Sequence, residues 1–383
     1  MVSFDLSDEQ KALRGLAHEF AANEIAPVAR HYDQTCEYPW PVIKKAYELG
    51  LMHVTFPEQH GGGGLGWFEA ALVQEETSWG CAGITTCMAA SELALTPLEI
   101  AATDEQRNKF VQPVIEAQGV FAFCLTEPGA GSDVAALRTR AVKDGDDYVI
   151  SGTKHFISNG NEASVYTVFA STDPEQKHRG LSCFIVPRVT PGITSHHMTG
   201  KLGHRASDTA EVVFEEVRVP ASQRVGREGD GFKIAMLTFD RTRVTVGAGG
   251  VGVARAALEA STKFALERQQ FGQPIGHFQA IQFMLADMAM QVETARMAVW
   301  YAAWLADHHA ATHTDGSASA IAKCLGSDAA MKCALDAVQI HGGYGYFEEF
   351  GVEKLMRDAK LLQIYEGTNQ VQRLIIARSL LKG

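Results

Sequence analysis

The first third of the chain carries the alternation of apolar and polar positions that is typical of helices. Apolar residues recur at three- and four-residue spacing after Ser7 and Gln10, which have the spacing of a capping box. A second capping box, Thr103 with Gln106, precedes another such series. The glycine run 61–64 between them predicts a loop, so we expect a helical N-terminal part.

The middle third changes to short runs of β-branched and aromatic residues. The runs occupy 148–150, 165–169, 183–186 and 211–214, and glycine, proline and Asp/Asn turns separate them. Short runs with such separators are typical of antiparallel strands. The pattern predicts a central antiparallel β domain, either a small barrel or a sandwich.

From about residue 230 onward the helical spacing returns. A long apolar stripe with four- and three-residue steps runs through Ile281, Leu285, Met288, Val292, Ala295, Val299 and Ala302. Such a stripe is typical of a long helix that packs in a bundle. The predicted fold class is therefore α+β, with a helical domain over 1–120, a β domain over 121–229 and a helical bundle over 230–383.

Composition and charge narrow the class of protein. The 383 residues are 46% hydrophobic and 21% charged, with a formal net charge of −11, which argues against a nucleic-acid-binding protein. We expect no membrane span and no signal peptide, because we find no apolar run of sufficient length and the N-terminus lacks a basic region. Seven scattered cysteines without a CxxC motif favour a reducing compartment, so we expect a cytoplasmic protein.

The segment 247–252 satisfies the G-x-G-x-x-G pattern of dinucleotide-binding folds, and two interpretations are open. The residues 244–246 could form the strand that precedes such a turn. However, no alternation of strands and helices surrounds the segment, and the apolar residues keep to one helical face. We therefore favour small residues inside a long helix, placed where a neighbouring helix approaches closely.

The segment 125–133, Leu-Thr-Glu-Pro-Gly-Ala-Gly-Ser-Asp, lies where the predicted β domain begins. Its proline and two glycines expose backbone N–H groups and let a ligand approach closely. We expect Glu127 and Asp133 to be structural anchors rather than catalysts. An ordinary turn would not require Thr126 or Ser132, so these two residues are candidate ligand contacts.

The segment 152–160 offers an aromatic ring at Phe156 and a hydroxyl at Ser158. Because the two residues are two positions apart in a predicted strand, we expect them on one side of it. His155 should then point to the other side, in a structural role.

Two further segments combine the end of a helix with groups that suit an anion and a ring system. In 268–274, Arg268 and Phe271 fit a phosphate and a ring, and fit an ordinary basic helix end equally well. The segment 339–346, Gln-Ile-His-Gly-Gly-Tyr-Gly-Tyr, is a second glycine-rich stretch suited to close backbone approach. Histidines 308, 309 and 313 have no acidic or cysteine partner at metal-ligand spacing, so we expect no metal site.

Glu366 follows an apolar run and precedes Gly367, just before a predicted helix. Partial burial would raise its pKa toward neutrality, where a carboxylate acts as a base. A solvated glutamate at a helix N-terminus has the same local pattern. The segment alone favours the solvated carboxylate.

Taken together, these segments resemble the acyl-CoA dehydrogenase flavoprotein family over essentially the whole chain. The segment 125–133 matches one family signature in full. The segment 339–358 matches a second, including the spacing to Glu349, Lys354 and Asp358. The chain is most similar to medium- and short-chain members, which implies a C-terminal four-helix bundle and a homotetramer.

The resemblance implies that FAD lies extended between the β domain and the bundle. The cofactor contacts that it implies within the β domain are Phe123, Leu125, Thr126, Gly131, Ser132, Phe156 and Ser158, the last of them near flavin N5. The contacts that it implies from a neighbouring subunit are Arg268, Phe271, Gln279, Gln339, Gly342 and Gly343. Thr368 and Gln370, at the start of the last helix, are also implied to face FAD.

The resemblance assigns the catalytic base to Glu366. Some members of the family place the base at the position of Thr242, and threonine cannot serve as one. The substrate contacts that the resemblance implies are Ser132 through its backbone, Asp240 and Arg243 near the pantetheine chain, Leu93 in the wall of the acyl pocket, and Tyr365. Glu92, beside Leu93, is expected to turn into a helix interface, because burying its charge in an apolar pocket is costly.

The implied reaction converts a short- to medium-chain acyl-CoA thioester to a trans-2-enoyl-CoA. Glu366 removes the α-proton, the β-hydrogen leaves as hydride to flavin N5, and electrons pass to electron-transfer flavoprotein. The Glu366 backbone N–H and a ribityl hydroxyl of FAD polarise the thioester carbonyl. Alternatives are an acyl-CoA oxidase or flavin monooxygenase on the same scaffold, a non-catalytic assembly protein, and a nicotinamide enzyme that uses 247–252.

Two residues depart from the pattern of the family. Phe156 stands where tryptophan is frequent, and Phe123 where tyrosine is frequent. Phenylalanine keeps the apolar face but loses the indole N–H or the phenol O–H. Flavin packing should survive, whereas the substrate range or the contact with the electron acceptor could differ.

Overall fold

The computed structural model describes residues 5–309 and 316–381. Its N-terminal part consists of helices joined by short loops. These are α1 (Asp8–Phe20), α2 (Ala29–Thr35), α3 (Trp40–Glu48), α4 (Trp67–Ala101), α5 (Asp104–Gln106) and α6 (Gln112–Glu116). Both predicted capping boxes are present, because the hydroxyls of Ser7 and Thr103 accept the N–H of Gln10 and Gln106 and both glutamines reciprocate. Local sequence therefore fixes where α1 and α5 begin.

The long helix α4 connects the parts of the fold. It departs from helical dihedral angles at Cys81 (φ −169°, ψ 114°), which divides it into two halves. Ala71 in the first half packs with the C-terminal helices, and Leu95 and Leu98 in the second half pack against the central sheet. A single helix thus contributes to both neighbouring cores.

The expectation that no segment is long and apolar enough to cross a membrane was wrong for α4. Within the described residues, Trp67–Ala101 meets that criterion by length and composition. Its most apolar stretch is 83% buried inside the protein, as in the core helix of a folded domain.

The central part is an eight-stranded sheet within the described residues, in the order β6-β7-β3-β2-β4-β5-β8, with β1 paired to β4. The strands are β1 (Phe121–Cys124), β2 (Arg140–Asp144), β3 (Asp147–Ser158), β4 (Val165–Ser171), β5 (Leu181–Pro187), β6 (Ile193–His197), β7 (Thr209–Pro220) and β8 (Arg224–Val225). Most pairs are antiparallel, as predicted. The β1–β4 and β2–β4 pairs are parallel, so the sheet is mixed.

The described residues of the C-terminal part form three long helices and two shorter ones. They are α7 (Gly231–Glu267), α8 (Gln279–His309), α9 (Ser317–His341), α10 (Val352–Leu362) and α11 (Asn369–Leu380), and the short hairpin β9 (Gln269–Gln270) with β10 (Gln273–Pro274) joins α7 to α8. The apolar stripe predicted for α8 packs into the core shared with α7 and α9. The predicted long bundle helix is confirmed.

Glycines inside α7 let three helices approach closely. A Cβ atom on Gly250 would lie 2.4 Å from the carbonyl carbon of Gly326 in α9. A Cβ atom on Gly252 would lie 2.2 Å from the carbonyl oxygen of Glu75 in α4. The G-x-G-x-x-G segment is therefore a helix-packing surface, and the alternative of a strand followed by a dinucleotide-binding turn was wrong.

The structure describes only part of the histidine group 308, 309 and 313, whereas it describes all seven cysteines. His308 Nδ1 lies 2.9 Å from the Trp304 carbonyl oxygen, whereas the side chain of His309 and all of His313 lie outside the described residues. The seven cysteines are free thiols, and Cys36 alone among them is exposed.

Candidate active site

The loop between α10 and α11 presents Glu366 on backbone of unusual conformation. Glu366 (φ +51°) and Gly367 (φ +88°) are consecutive left-handed residues. For a glutamate this conformation costs on the order of 1 kcal/mol, so the surroundings must hold it. Gln372 Nε2 donates to the carbonyl oxygens of Glu366 (3.1 Å) and Gly367 (3.0 Å), and Lys323 Nζ donates to that of Gly367 (2.9 Å).

The carboxylate of Glu366 faces α7. The Thr242 hydroxyl donates to Glu366 Oε2 at 2.7 Å, and no hydrogen bond within the described part of the chain reaches Oε1. Burial raises the pKa of Glu366, while the Thr242 bond and the charges of Arg243 and Lys323 oppose that rise. A half-buried carboxylate with a raised pKa and one free oxygen fits a proton acceptor better than a solvated helix-end charge.

The backbone N–H of Glu366 makes no hydrogen bond to another described residue. A free N–H beside a candidate base is a donor that a ligand carbonyl can use. Thr368 behaves differently, because its hydroxyl accepts the Val371 N–H (3.3 Å) and so caps α11, and Gln370 is exposed.

Arg243 lies one residue beyond Thr242 on α7 and is buried. Its Nη1 donates to Asp240 Oδ1 at 2.8 Å, and its buried Nε has no partner among the described residues. Burial lowers the pKa of this guanidinium, against the attraction of Asp240 and Glu366. Asp240 is partly exposed, so the pair has one buried and one accessible member.

Tyr365 precedes Glu366 and contacts a buried polar group. Its ring lies 5.9 Å from that of His204, whose Nδ1 lies 2.8 Å from the Thr86 hydroxyl. Burial lowers the pKa of His204 to about 4, so this imidazole is neutral at neutral pH. Burial likewise raises the pKa of Tyr365, which keeps its hydroxyl protonated.

The loop 125–133 is held by a buried ion pair. Lys154 Nζ donates to Glu127 Oε1 (2.9 Å) and to the carbonyl oxygen of Leu125 (3.0 Å). Glu127 also accepts the N–H groups of residues 138 and 139, which confirms it as a structural anchor. The Leu125 side chain is in the core, while Gly131 and Ser132 are exposed.

A β-bulge overturns the expected sides of Phe156 and His155. The pairing of β3 with β7 shifts between Lys154 and Ile157, and Phe156 has φ +59°. The rings of His155 and Phe156 therefore contact each other edge to face, with their centroids 4.3 Å apart, instead of lying on opposite faces. Phe156 is 63% exposed and Ser158, at the end of β3, is half-buried.

Thr126 and Phe123 lie near this edge of the sheet. The Thr126 carbonyl accepts the His155 N–H at 2.8 Å, which ties the 125–133 loop to the bulge. Phe123 packs against Phe169 (5.0 Å between ring centroids) and Phe239 of α7 (5.7 Å).

The residues expected to bind the acyl chain lie on the second half of α4. Leu93 is half-buried. Glu92 turns toward the loop before α4, where Oε1 accepts the Thr55 N–H at 3.1 Å, rather than into the interface between two helices that we expected.

A groove of about 530 Å3 lies where α7 and α9 end. It brings together Arg268, Gly342 and Gly343, and the Arg268 guanidinium lies 5.0 Å from the ring of Tyr344. Phe271, 92% exposed, lies on the β9–β10 connection, and Gln279 and Gln339 are exposed outside the residues that line the groove.

The donor set of this groove fits the diphosphate and ring of a dinucleotide. Gly342 (φ +59°) and Gly343 have open space where a Cβ would be, so their backbone is accessible. A guanidinium, accessible backbone and aromatic rings are what a phosphate with an attached base requires. The exposed Phe156 ring with the half-buried hydroxyls of Thr126 and Ser158 fits a planar polar ring equally well.

Two residues hold the loop 363–368 between α10 and α11, called the base loop below because it carries the candidate base Glu366, and neither was found from the sequence. Lys323 is a fully buried lysine of α9. The one feature of the sequence that could have indicated its burial is that it lies within the run 318–326 of small and apolar residues. Gln372 is also fully buried, in α11, and its sequence context gives no signal.

Models of the acyl-CoA dehydrogenase family match three parts of the chain. The N-terminal domain matches residues 7–118, the middle domain 122–217 and the C-terminal domain 229–381. A Bacillus subtilis (strain 168) protein named "Probable acyl-CoA dehydrogenase YngJ" is 45% identical over 383 residues, with 100% of both chains covered.

Solved structures show the same similarity. A chain described under "Electron transferring flavoprotein of Acidaminococcus fermentans" has a TM-score of 0.96 at 42% identity, covering 100% of both chains. Butyryl-CoA dehydrogenase from Megasphaera elsdenii has a TM-score of 0.95 at 40% identity, again covering 100% of both chains.

Proposed function

Since the chain belongs to the acyl-CoA dehydrogenase family of FAD-dependent oxidoreductases, we propose that it oxidises a short- to medium-chain acyl-CoA to the trans-2-enoyl-CoA. The observation that carries this proposal is Glu366, half-buried with a raised pKa, hydrogen-bonded at Oε2 and free at Oε1. The butyryl-CoA dehydrogenase neighbour supports the shorter acyl chains.

FAD would be held by two groups of residues. Thr126, Phe156 and Ser158 would face its ring system, and Arg268 with the 342–343 backbone of a neighbouring subunit would face its diphosphate part. When bound, FAD supplies the acceptor for the β-hydrogen, which leaves as hydride. We propose the units 1–120, 121–229 and 230–383, with the first group in the central unit and the second in the C-terminal unit.

Glu366 takes the α-proton of the thioester at Oε1. Thr242 keeps Oε2 occupied, so the oxygen that receives the proton is defined. Acyl-CoA entry would remove water from the site and raise the pKa of the carboxylate further, which strengthens it as a base.

Removal of the α-proton places negative charge on the thioester oxygen. The free N–H of Glu366 is available to that oxygen, so base and oxyanion donor belong to the same residue. Asp240, Arg243, the Ser132 backbone and Tyr365 would contact the thioester ligand, with Leu93 in the acyl pocket wall.

Electron-transfer flavoprotein is the proposed electron acceptor. The support is the structural neighbour from Acidaminococcus fermentans, which is described under the name of such a flavoprotein and covers the whole chain at 42% identity. We further propose a cytoplasmic location, because seven free cysteines suit a reducing compartment.

A homotetramer is proposed on two grounds. Arg268 directly follows the end of α7, about 40 Å along the helix from Thr242, so the groove lies far from the candidate base of its own chain and suits the cofactor of a neighbouring subunit. In addition, α8 exposes large apolar side chains at helical spacing, namely Phe283, Met290, Met297, Tyr301 and Trp304. Light scattering after size exclusion should give four times the 41.5 kDa chain mass.

The test of the function compares wild type, Glu366→Gln and the exposed control Glu105→Gln, each purified with FAD. We expect wild type and Glu105→Gln to bleach the flavin anaerobically with butyryl-CoA. Glu366→Gln should bind the same ligand but lose turnover by at least about 1,000-fold. Near wild-type turnover of Glu366→Gln would show that another base acts.

A second measurement separates the alternatives on the same scaffold. Reduced enzyme is mixed with air, and the rate of flavin reoxidation and the peroxide formed are recorded. Slow reoxidation supports the dehydrogenase, whereas fast reoxidation with stoichiometric peroxide would show an oxidase. A panel of acyl-CoAs of different length and branching then defines the substrate range.

A further inference from the structure

Lys323 reaches from α9 into the backbone of the base loop. Its side chain is fully buried. Nζ donates to the Gly367 carbonyl oxygen (2.9 Å) and to Asn369 Oδ1 (2.8 Å), and both acceptors are neutral. Asn369 is in turn held by Ser327 and Asp328 of α9, so the contact is rigid.

A neutral donor would suffice to hold this backbone. Gln372 Nε2 already donates to the carbonyl oxygens of Glu366 and Gly367 from α11. A buried ammonium with two neutral acceptors is costly unless a negative charge lies close by. The presence of a charge therefore needs its own explanation.

The charged groups around Lys323 identify its counter-charge. After burial, the largest influence on it comes from the Cys324 thiol, followed by Glu366 and Asp328, which attract it, and Arg243, which repels it. Burial raises the pKa of the Cys324 thiol, so this group carries no counter-charge at neutral pH. Asp328 accepts hydrogen bonds from Asn369, Gln363 and Arg373, so the Arg373 guanidinium already pairs with it. This leaves Glu366 as the carboxylate whose charge Lys323 balances.

The groups that act on the Glu366 carboxylate come from three elements. The Thr242 hydroxyl and the Arg243 guanidinium act from α7, the Lys323 ammonium acts from α9, and Tyr365 precedes Glu366 in its own loop. Burial lowers the pKa of Lys323 to about 8, so its ammonium is present through neutral pH.

We propose that Lys323 is a positioning residue for the dehydrogenation: it fixes the left-handed 366–367 backbone and its charge keeps the Glu366 carboxylate ionised. The inference rests on the proposed role of Glu366 as the base. It gives Lys323 and Gln372 separable tasks, since both hold the same backbone and only Lys323 contributes charge.

The test compares three variants purified with FAD. Lys323→Met removes both the charge and the hydrogen bonds. Gln372→Met removes hydrogen bonds to the same loop backbone without changing charge. Lys332→Met, an exposed lysine of the same helix that pairs with Asp336, is the control. The readout is the pH dependence of kcat and kcat/KM with butyryl-CoA.

We expect Lys323→Met and Gln372→Met each to lower kcat roughly ten- to a hundredfold, because the base is less precisely held. Only Lys323→Met should move the acidic limb of kcat/KM to higher pH, because the carboxylate loses a favourable charge. Lys323→Arg should keep the limb at the wild-type pH, and Lys332→Met should match wild type throughout.

An acidic limb of Lys323→Met at the wild-type pH, in folded FAD-loaded protein, would overturn the inference. Should Lys323→Met fail to fold, Lys323→Gln is measured in its place with the same expected limb. Infrared difference spectra give a second readout without turnover, because the protonated carboxyl band lost in Glu366→Gln should persist to higher pH when Lys323 is replaced.

The outcomes separate this inference from the proposed function. An active Glu366→Gln variant would remove the base and the proposed function together. An inactive Glu366→Gln variant with an unmoved Lys323→Met limb would remove the role of Lys323 alone. In the Glu366→Gln background, adding Lys323→Met should change the residual rate less than about twofold.

Discussion

The hydroxyl of Thr242 donates a hydrogen bond to Glu366 Oε2 at 2.7 Å, across 124 positions of sequence. The resemblance implies that some family members carry the base at the position of Thr242, and this chain carries its candidate base at Glu366. The hydrogen bond shows that the two positions meet at one point in space. A carboxylate on α7 at position 242 would therefore lie close to where the Glu366 carboxylate lies.

Thr242→Val should impair the enzyme chiefly at acidic pH. The hydroxyl stabilises the ionised carboxylate, so its loss raises the pKa of Glu366 and moves the acidic limb of kcat/KM to higher pH. We expect about tenfold lower kcat/KM on the acidic side and a smaller effect at alkaline pH. Thr262→Val, which removes a hydroxyl bond to a carbonyl elsewhere on α7, should leave the profile unchanged.

Glu366→Gln should stabilise the fold in a pH-dependent way. The pKa of Glu366 is raised in the folded state, so the wild-type protein loses stability as pH rises through that folded pKa. Glutamine carries no charge to desolvate. The melting temperature of Glu366→Gln should exceed that of wild type by roughly 2 °C at pH 8 and converge with it below pH of about 4.5.

Thermal unfolding of the FAD-loaded proteins across pH checks this. Glu105→Gln, at an exposed position, should track wild type at every pH. A constant difference between Glu366→Gln and wild type would show that the effect is not titration of the carboxylate.

Gly250→Ala should destabilise the bundle although alanine favours helices. Its Cβ would lie 2.4 Å from the Gly326 backbone, and neither helix can yield without separating α7 from α9. We expect a loss on the order of 1–3 kcal/mol in chemical unfolding. Gly15 is at an exposed position of α1, with open space where a Cβ would be. Gly15→Ala should instead raise the free energy of unfolding by about 0.5–1 kcal/mol.

Lys154→Met should unfold the loop 125–133 at the start of the β domain. The substitution leaves Glu127 buried without its cation, at a cost of about 3–5 kcal/mol. FAD retention should fall as well, because the 125–133 loop loses its anchor. Adding Glu127→Gln should restore part of the loss, whereas Lys143→Met at an exposed position of β2 should have no effect.

Arg268→Gln should weaken FAD binding roughly tenfold while leaving the melting temperature of the apoprotein unchanged. A guanidinium bond to a phosphate contributes about 1.5–3 kcal/mol, and the side chain has little part in the core. The flavin-to-protein absorbance ratio after dialysis measures this, with the exposed Arg378→Gln as control. Equal retention in both variants would remove Arg268 from the cofactor site.

Features determined by neighbouring residues in sequence were predicted correctly. The capping boxes at Ser7 and Thr103 and the apolar stripe of α8 depend on contacts within a few positions or on one helical face. The position of Thr368 before the last helix follows the same logic.

Features that depend on a partner far away in the sequence were not predicted correctly. The bulge that places His155 beside Phe156 arises from the register with β7, which no local pattern encodes. The direction in which the Glu92 side chain points is set by its hydrogen bond with the Thr55 N–H, which is also far away in the sequence. Lys323 and Gln372 hold the base loop through contacts that the linear sequence does not reveal, since a lysine in a helix is ordinarily solvated.

The left-handed backbone at Glu366 has a consequence for how this protein can change over time. Glycine relieves the strain of φ +51°, so Glu366→Gly removes the proposed base while favouring the same loop conformation. Given that proposed role, this one substitution would abolish turnover while the loop keeps its conformation. A single exchange of this kind would turn an enzyme of this fold into a protein without a catalytic carboxylate.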